Sequence, residues 1–230
     1  MPFSIHQYLR QARHRHDDPL FPVYGNAKRY ARMPQIQLGA PARSDFSLAD
    51  ALLKRQSFPT DGSLNLTDLT VADVSNLFGL ALKAHEGGTR PHPSGGGLYP
   101  IETYFIGTLD GNESAHVYHY DPFAHTLADL WVMPADRGMQ DILLPSVPYT
   151  APACIVFTGM WARNGIKYGD FSYYLGMLEA GHAAQNILLA ATSLDISSRP
   201  IGGFDDDVVS SLLDIDQNLE QVLYLIMIGK

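Results

Sequence analysis

A helix that is apolar nearly all the way round is written into residues 170–195, DFSYYLGMLEAGHAAQNILLAATSLD. Such a helix has no face to give to water, so it is expected to be buried on every side. Gly176, Ala180, Ala183, Ala184, Ala190 and Ala191 are small enough to let another helix approach closely. In a chain of 230 residues, a subunit interface is one explanation of that cover. His182, in the middle of the run, reads as a satisfied core histidine.

The segments around it divide into two periods. ETYFIGTL, HVYHYDP, HTLADLW and ACIVFTGM suit strands, and QVLYLIMIG near the C-terminus is continuous enough in apolar residues for a central one. Two helices precede them. SLADALLKRQ carries Ser47 as N-cap with Asp50 three residues on, and LTVADVSNLFGLALKA repeats the device with Thr70 and Asp73. Residues 1–45 are turn-rich and read as an extended N-terminal arm, leaving 46–230 as one domain.

Composition excludes several classes. A net charge of −8 argues against nucleic acid and against anionic membranes as partners. The single cysteine, Cys154, rules out an internal disulfide and a multi-cysteine zinc site, and its strand context points to a buried structural thiol. The nine histidines show no H-x-x-x-H spacing, so no metal is expected. There is neither a signal-peptide core nor an apolar run of membrane length, and a soluble, cytoplasmic protein is expected.

Four short stretches could carry chemistry. RPHPSGGGLYPIE, residues 90–102, lacks the lysine of a phosphate-binding loop and precedes a strand, so it is neither a Walker loop nor a dinucleotide fingerprint. Rigid prolines flank it, which leaves a plain tight turn or a side-chain-free surface against a ligand. SRPIGGFDDD, residues 198–207, is a helix start capped by Asp205 whose amides could also face a ligand. In LLKRQS, the cations Lys54 and Arg55 with Ser57 either hold a phosphate or complement a helix C-terminus. Lys167 and Tyr168, in NGIKYGDFSYY, offer two tunable proton carriers in an otherwise ordinary dipeptide.

The order of these stretches is more specific than any one of them. R-x-S, then PSGGGLYPIE, then KYGDFSYY, then GHAAQN…PIGGFDDD and a terminal apolar strand resembles the nitroreductase-like flavin proteins across about residues 28–230. More narrowly it is similar to the SagB-type dehydrogenases, the azoline oxidases of thiazole/oxazole-modified peptide biosynthesis. The resemblance implies an α+β fold, a mixed and mostly antiparallel sheet flanked by helices, in an entwined homodimer with FMN at the interface. Arg55 and Ser57 then match the residues that hold FMN phosphate and ribityl chain. Pro93, Ser94, Gly95 and Gly96 match the loop that reaches the flavin from the partner subunit, and Ile201, Gly202 and Gly203 match the segment along its edge. Lys230 is the one C-terminal candidate for the phosphate. Lys167 and Tyr168 match the catalytic pair. Position 59 departs from the pattern: proline stands where R-x-S-x-R carries a second cation, and Lys54 or Arg90 is the expected substitute.

The activity so implied is oxidation of a thiazoline or oxazoline in a ribosomal precursor peptide. A base removes the α-proton, hydride passes to flavin N5, and oxygen reoxidises the flavin. A cyclodehydratase that makes the azoline is the expected partner. Two alternatives use the same fold, an NAD(P)H-dependent nitro or enone reductase and a peptide α,β-dehydrogenase. A third is a flavin-free scaffold subunit.

Overall fold

The computed structural model describes residues 13, 27–41, 45–59, 64–147 and 151–230, so most of the 1–45 arm lies outside the described residues. Seven strands form one sheet: β1 (Gln35–Gln37), β2 (Ile101–Gly107), β3 (His116–Asp121), β4 (Thr126–Val132), β5 (Ala153–Met160), β6 (Ser197–Ile201) and β7 (Glu220–Gly229). Their order is β1-β4-β3-β2-β5-β7-β6, and each of the six neighbouring pairs is antiparallel. The helices are α1 (Leu48–Lys54), α2 (Val71–Ala81), α3 (Trp161–Tyr168), α4 (Phe171–Ser193) and α5 (Asp206–Leu212).

Strand alternation divides the core into two layers. Phe105, Ile155, Phe157, Ile226 and Ile228 point to one face, where Leu77 and Phe78 of α2 and Ala180, Ala183 and Ile187 of α4 cover them. Tyr104, Ile106, Cys154, Val156, Leu225 and Met227 point to the other, under Val209 of α5 and Ile142. Both faces of β2, β5 and β7 are therefore largely buried, which is why these strands are rich in apolar residues on both faces. Cys154 is fully buried, and burial raises its thiol pKa well above the ordinary range, as suits a structural residue.

The helix starts follow their caps. The Ser47 and Asp205 side chains accept from the third amide of α1 and α5, and Thr70 with Asp73 closes a reciprocal box on α2. The described part of the arm is stitched in: β1 pairs with β4, and Lys28 donates from Nζ to Glu220 Oε2 and to the Tyr104 hydroxyl, both at 2.7 Å. Burial works against the Lys28 charge, but the Glu220 carboxylate outweighs it and holds the ammonium pKa above its ordinary value.

The long helix corrects one expectation. Its inner face is buried as read and Tyr173, Met177 and Leu178 on the outer face are exposed in the single chain, where a subunit contact was the expected cover, but His182 on that same face is exposed and is not a core residue. Large apolar side chains on both faces hid this from a count of residue types.

Candidate active site

The glycine stretch is a tight turn built around backbone conformations that only glycine adopts without strain. Gly96 and Gly97 have φ of 64° and 67°. Gly97 N donates to the Ser94 carbonyl at 3.1 Å, and the Tyr99 amide donates to Ser94 Oγ at 2.9 Å, closing the turn on itself. A Cβ on Gly96 would lie 2.6 Å from the Tyr168 hydroxyl oxygen and 3.2 Å from Lys167 Nζ. The turn and the Lys-Tyr pair, remote in sequence, thus form one surface.

Lys167 and Tyr168 are the last two residues of α3, and Gly169 caps the helix by donating to the Gly165 carbonyl at 2.7 Å. Lys167 is exposed, Tyr168 half-buried, and the ammonium sits 5.4 Å from the Tyr168 ring centroid. One turn earlier on the same helix, Arg163 points inward. It donates from Nη1 to the Tyr99 carbonyl at 3.0 Å and from Nη2 to the Glu102 carboxylate. Glu102 also accepts from the Lys28 amide at 2.8 Å and meets His119 Nε2 at 2.7 Å. Burial alone would raise its pKa, but His119, Arg163 and Arg90 outweigh it and hold Glu102 at about 2.

A second group of residues gathers elsewhere. Arg55 caps the end of α1, and the strand-like segment after it docks on β6: the Phe58 amide donates to the Ser198 carbonyl at 3.3 Å. Arg199 returns the contact, Nε donating to the Phe58 carbonyl at 2.7 Å with the guanidinium 5.6 Å from the Phe58 ring centroid. From there β6 runs to Ile201, beyond which Gly202 is exposed and has open space where a Cβ would stand. Lys54, Gln56, Phe58, Pro59 and Thr192 line a cleft of about 350 Å3 beside this group. Gly229 pairs with Ser197 at the edge of the cleft, and Lys230 just beyond it forms an ion pair with Asp73 at 2.8 Å.

The expected substitutes for a cation at position 59 separate. Lys54 lines the Pro59 cleft, its ammonium 4.8 Å from the Phe46 ring centroid. Arg90 does not: it is buried beneath the glycine turn, donating to the Ile101 carbonyl and packing on the Tyr99 and Phe123 rings. Arg199 is the cation that sequence reading missed, although it adjoins the Pro-Ile-Gly-Gly segment.

The two groups lie at opposite ends of α4. Leu175 stands over Gly95, whereas Thr192 lines the Pro59 cleft. At 1.5 Å per residue these positions are separated by about 26 Å along the helix. One chain therefore brings the Gly96 turn to Lys167 and Tyr168, and docks the segment after Arg55 and Ser57 on the start of β6, the strand that leads to Ile201–Gly203, but does not join the two ends of α4. Among the described residues, no cluster of His, Cys, Asp and Glu has the make-up of a metal site.

Comparison with known proteins identifies the family and the fold. The family model "Nitroreductase family" matches residues 66–230. The chain belongs to the nitroreductase family. The nitroreductase-family protein MJ1384 of Methanocaldococcus jannaschii is 30% identical over 199 residues, covering 85% of this chain and 96% of its own length. The microcin B17-processing protein McbC of Escherichia coli is 26% identical over 161 residues, which is 65% of this chain and 58% of McbC. In fold, the chain is similar to a nitroreductase-family crystal structure from Anabaena variabilis, with a TM-score of 0.71 and 25% identity over 87% of this chain and 42% of that one. It is also similar to a chain of the E. coli microcin synthetase McbBCD complex with truncated pro-MccB17 bound, at a TM-score of 0.65 and 19% identity over 100% and 83% of the two chains. Nitroreductase-family proteins generally bind flavin, and the α+β antiparallel sheet flanked by helices is the family fold.

Proposed function

We propose that this protein is an FMN-dependent azoline dehydrogenase, oxidising a thiazoline or oxazoline in a precursor peptide to the aromatic ring. The observation that carries the reading is the approach of Lys167 and Tyr168 to the Gly96 turn, which leaves the pair facing a backbone surface without side chains. The residues present suit the cofactor. A guanidinium and a hydroxyl at Arg55 and Ser57 match a phosphate and polyol, and the open face at Gly202 suits a flat ring. When bound, FMN would supply the acceptor for the hydride and pass its electrons on to dioxygen.

The chain's own share is proton transfer and orientation. Aromatisation removes two hydrogens from the ring, one as a proton from the α-carbon and one as hydride from the neighbouring carbon. Lys167, in its unprotonated amine form, takes the proton at Nζ, and the Tyr168 hydroxyl, fixed against Gly96, orients the ring or shares the proton.

A second copy of the chain completes the site. The exposed apolar residues Tyr173, Met177 and Leu178 lie on the outer face of α4. Two such helices packed antiparallel would bring the glycine turn of one protomer beside Arg55, Ser57 and Gly202 of the other. The McbC relationship supports a peptide substrate and association with partner enzymes, among which a cyclodehydratase is the proposed one. The relationship to MJ1384 supports the alternative of a nitro reductase, for which NAD(P)H is the proposed electron donor. A peptide carrying one thiazoline separates the two. Oxidation in air without added nicotinamide supports the dehydrogenase. Rapid bleaching of bound flavin by NADPH, with no ring oxidation, supports the reductase.

A further inference from the structure

We propose that Arg163 is the positioning residue of the Lys-Tyr pair, acting with Glu102 as its fixed counter-charge. The inference rests on the reading of Lys167 and Tyr168 as the reacting groups and goes beyond it to what holds them.

Three observations converge on Arg163. First, it lies four residues before Lys167 on α3, one helical turn away, so its attachment sets the depth and rotation of the helix end that carries the pair. Second, its guanidinium is buried and forked. One nitrogen donates to the Tyr99 carbonyl, where the glycine turn ends, and the other to Glu102 at the start of β2. Third, the turn is tied to the same point, because the Tyr99 amide donates to Ser94 Oγ. Tyr99 itself is held at φ 47°, a conformation that persists only where its surroundings impose it.

Arg163 therefore fixes α3 and the glycine turn to one another at the base, while Gly96 meets Lys167 and Tyr168 at the top. Glu102 makes the anchor permanent. It is 1% exposed, is bonded from three directions, and stays ionised because His119 and Arg163 hold its charge. A lysine at 163 could reach one of the two acceptors but could not span both as the planar fork does.

The test uses FMN-loaded wild type, Arg163→Gln and Arg163→Lys, with a synthetic peptide bearing one thiazoline. Arg163→Gln is expected to lower kcat about a hundredfold with KM within threefold of wild type, and Arg163→Lys to recover about tenfold of that loss. A second readout needs no substrate. The protein has five lysines, so 13C-methylation resolves each as an NMR signal, and Lys167 is identified with Lys167→Arg. The Lys167 signal is expected to move to the position of a free lysine in Arg163→Gln and to stay near wild type in Arg163→Lys. If Arg163→Gln fails to fold, the Arg163→Lys kinetics decide alone: a wild-type kcat overturns the proposal, because one amine cannot replace the fork. An unmoved Lys167 signal in a folded Arg163→Gln likewise overturns it. Failure of the wild type to oxidise the peptide, or full activity in Lys167→Ala, would instead refute the reading of the site and leave the NMR comparison to decide the role of Arg163.

Discussion

Gly96 and Tyr168 stand so close that a methyl group on the glycine would sit 2.6 Å from the phenol oxygen. Gly97, its neighbour, has the same left-handed backbone but nothing within 4 Å of its Cβ position. The two glycines therefore separate backbone strain from contact. Both Gly96→Ala and Gly97→Ala are expected to cost about 1–2 kcal/mol in denaturant unfolding, the cost of a left-handed non-glycine residue. Only Gly96→Ala is expected to lose turnover as well, by tenfold or more, because it displaces Tyr168. Equal activities in the two variants would contradict a functional contact.

Acid should release the buried network in a defined window. The folded-state pKa of Glu102, about 2, lies below the ordinary value of 4.5, so the unfolded chain takes up the proton first as pH falls. The stabilisation is complete above 4.5 and is lost progressively between 4.5 and 2. Urea unfolding of the wild type should lose roughly 2 kcal/mol from this group between about pH 5 and pH 3. Glu102→Gln, less stable at neutral pH, should show a correspondingly flatter profile; an identical slope would remove Glu102 as the source.

Arg199 should matter to cofactor retention without touching the Lys-Tyr pair. Its bond to the Phe58 carbonyl holds the segment after Arg55 and Ser57 against β6. A charge-assisted bond of this kind contributes about 1.5–3 kcal/mol. Arg199→Met is expected to weaken FMN binding about tenfold or more in a fluorescence titration. Unchanged affinity would show that the docking of Phe58 on β6 does not govern the site.

The outer face of α4 makes a similar claim about assembly. Leu178 is 45% exposed in the single chain and is expected to be covered in the dimer. Leu178→Glu should shift sedimentation towards the monomer and release flavin in parallel, since each site draws on both chains. A monomeric wild type that binds flavin fully would exclude a composite site.

Much of the fold was legible because its signals are local. Caps at Ser47, Thr70 and Asp205 and the apolar runs of β2, β5 and β7 report backbone needs that neighbouring residues satisfy. Residues 161–168 were not legible as a helix: Met160 offers no side-chain cap, and Asn164 and Gly165 are weak helix formers. Ser197–Ile201 reads as loop, with two serines and a proline, and becomes a strand only because β7 supplies its partner; Pro200 is tolerated at that sheet edge. The order of motifs brought Lys167, Gly96 and Gly202 to notice. Arg163 and Glu102 carry no pattern in sequence, because their meeting depends on how α3 folds back over β2. The separation of the site residues into two groups, about 26 Å apart along α4, is equally invisible before the helix is placed.

The most direct measurement is aerobic incubation of the purified, FMN-loaded protein with a peptide carrying one thiazoline, followed by mass spectrometry, alongside Lys167→Ala with equal bound flavin. The wild type is expected to remove two hydrogens per ring with one equivalent of dioxygen consumed, and the variant to leave the ring intact. Equal oxidation by both proteins, or none by the wild type, would contradict the assignment of Lys167 and Tyr168 as the reacting pair of an azoline dehydrogenase.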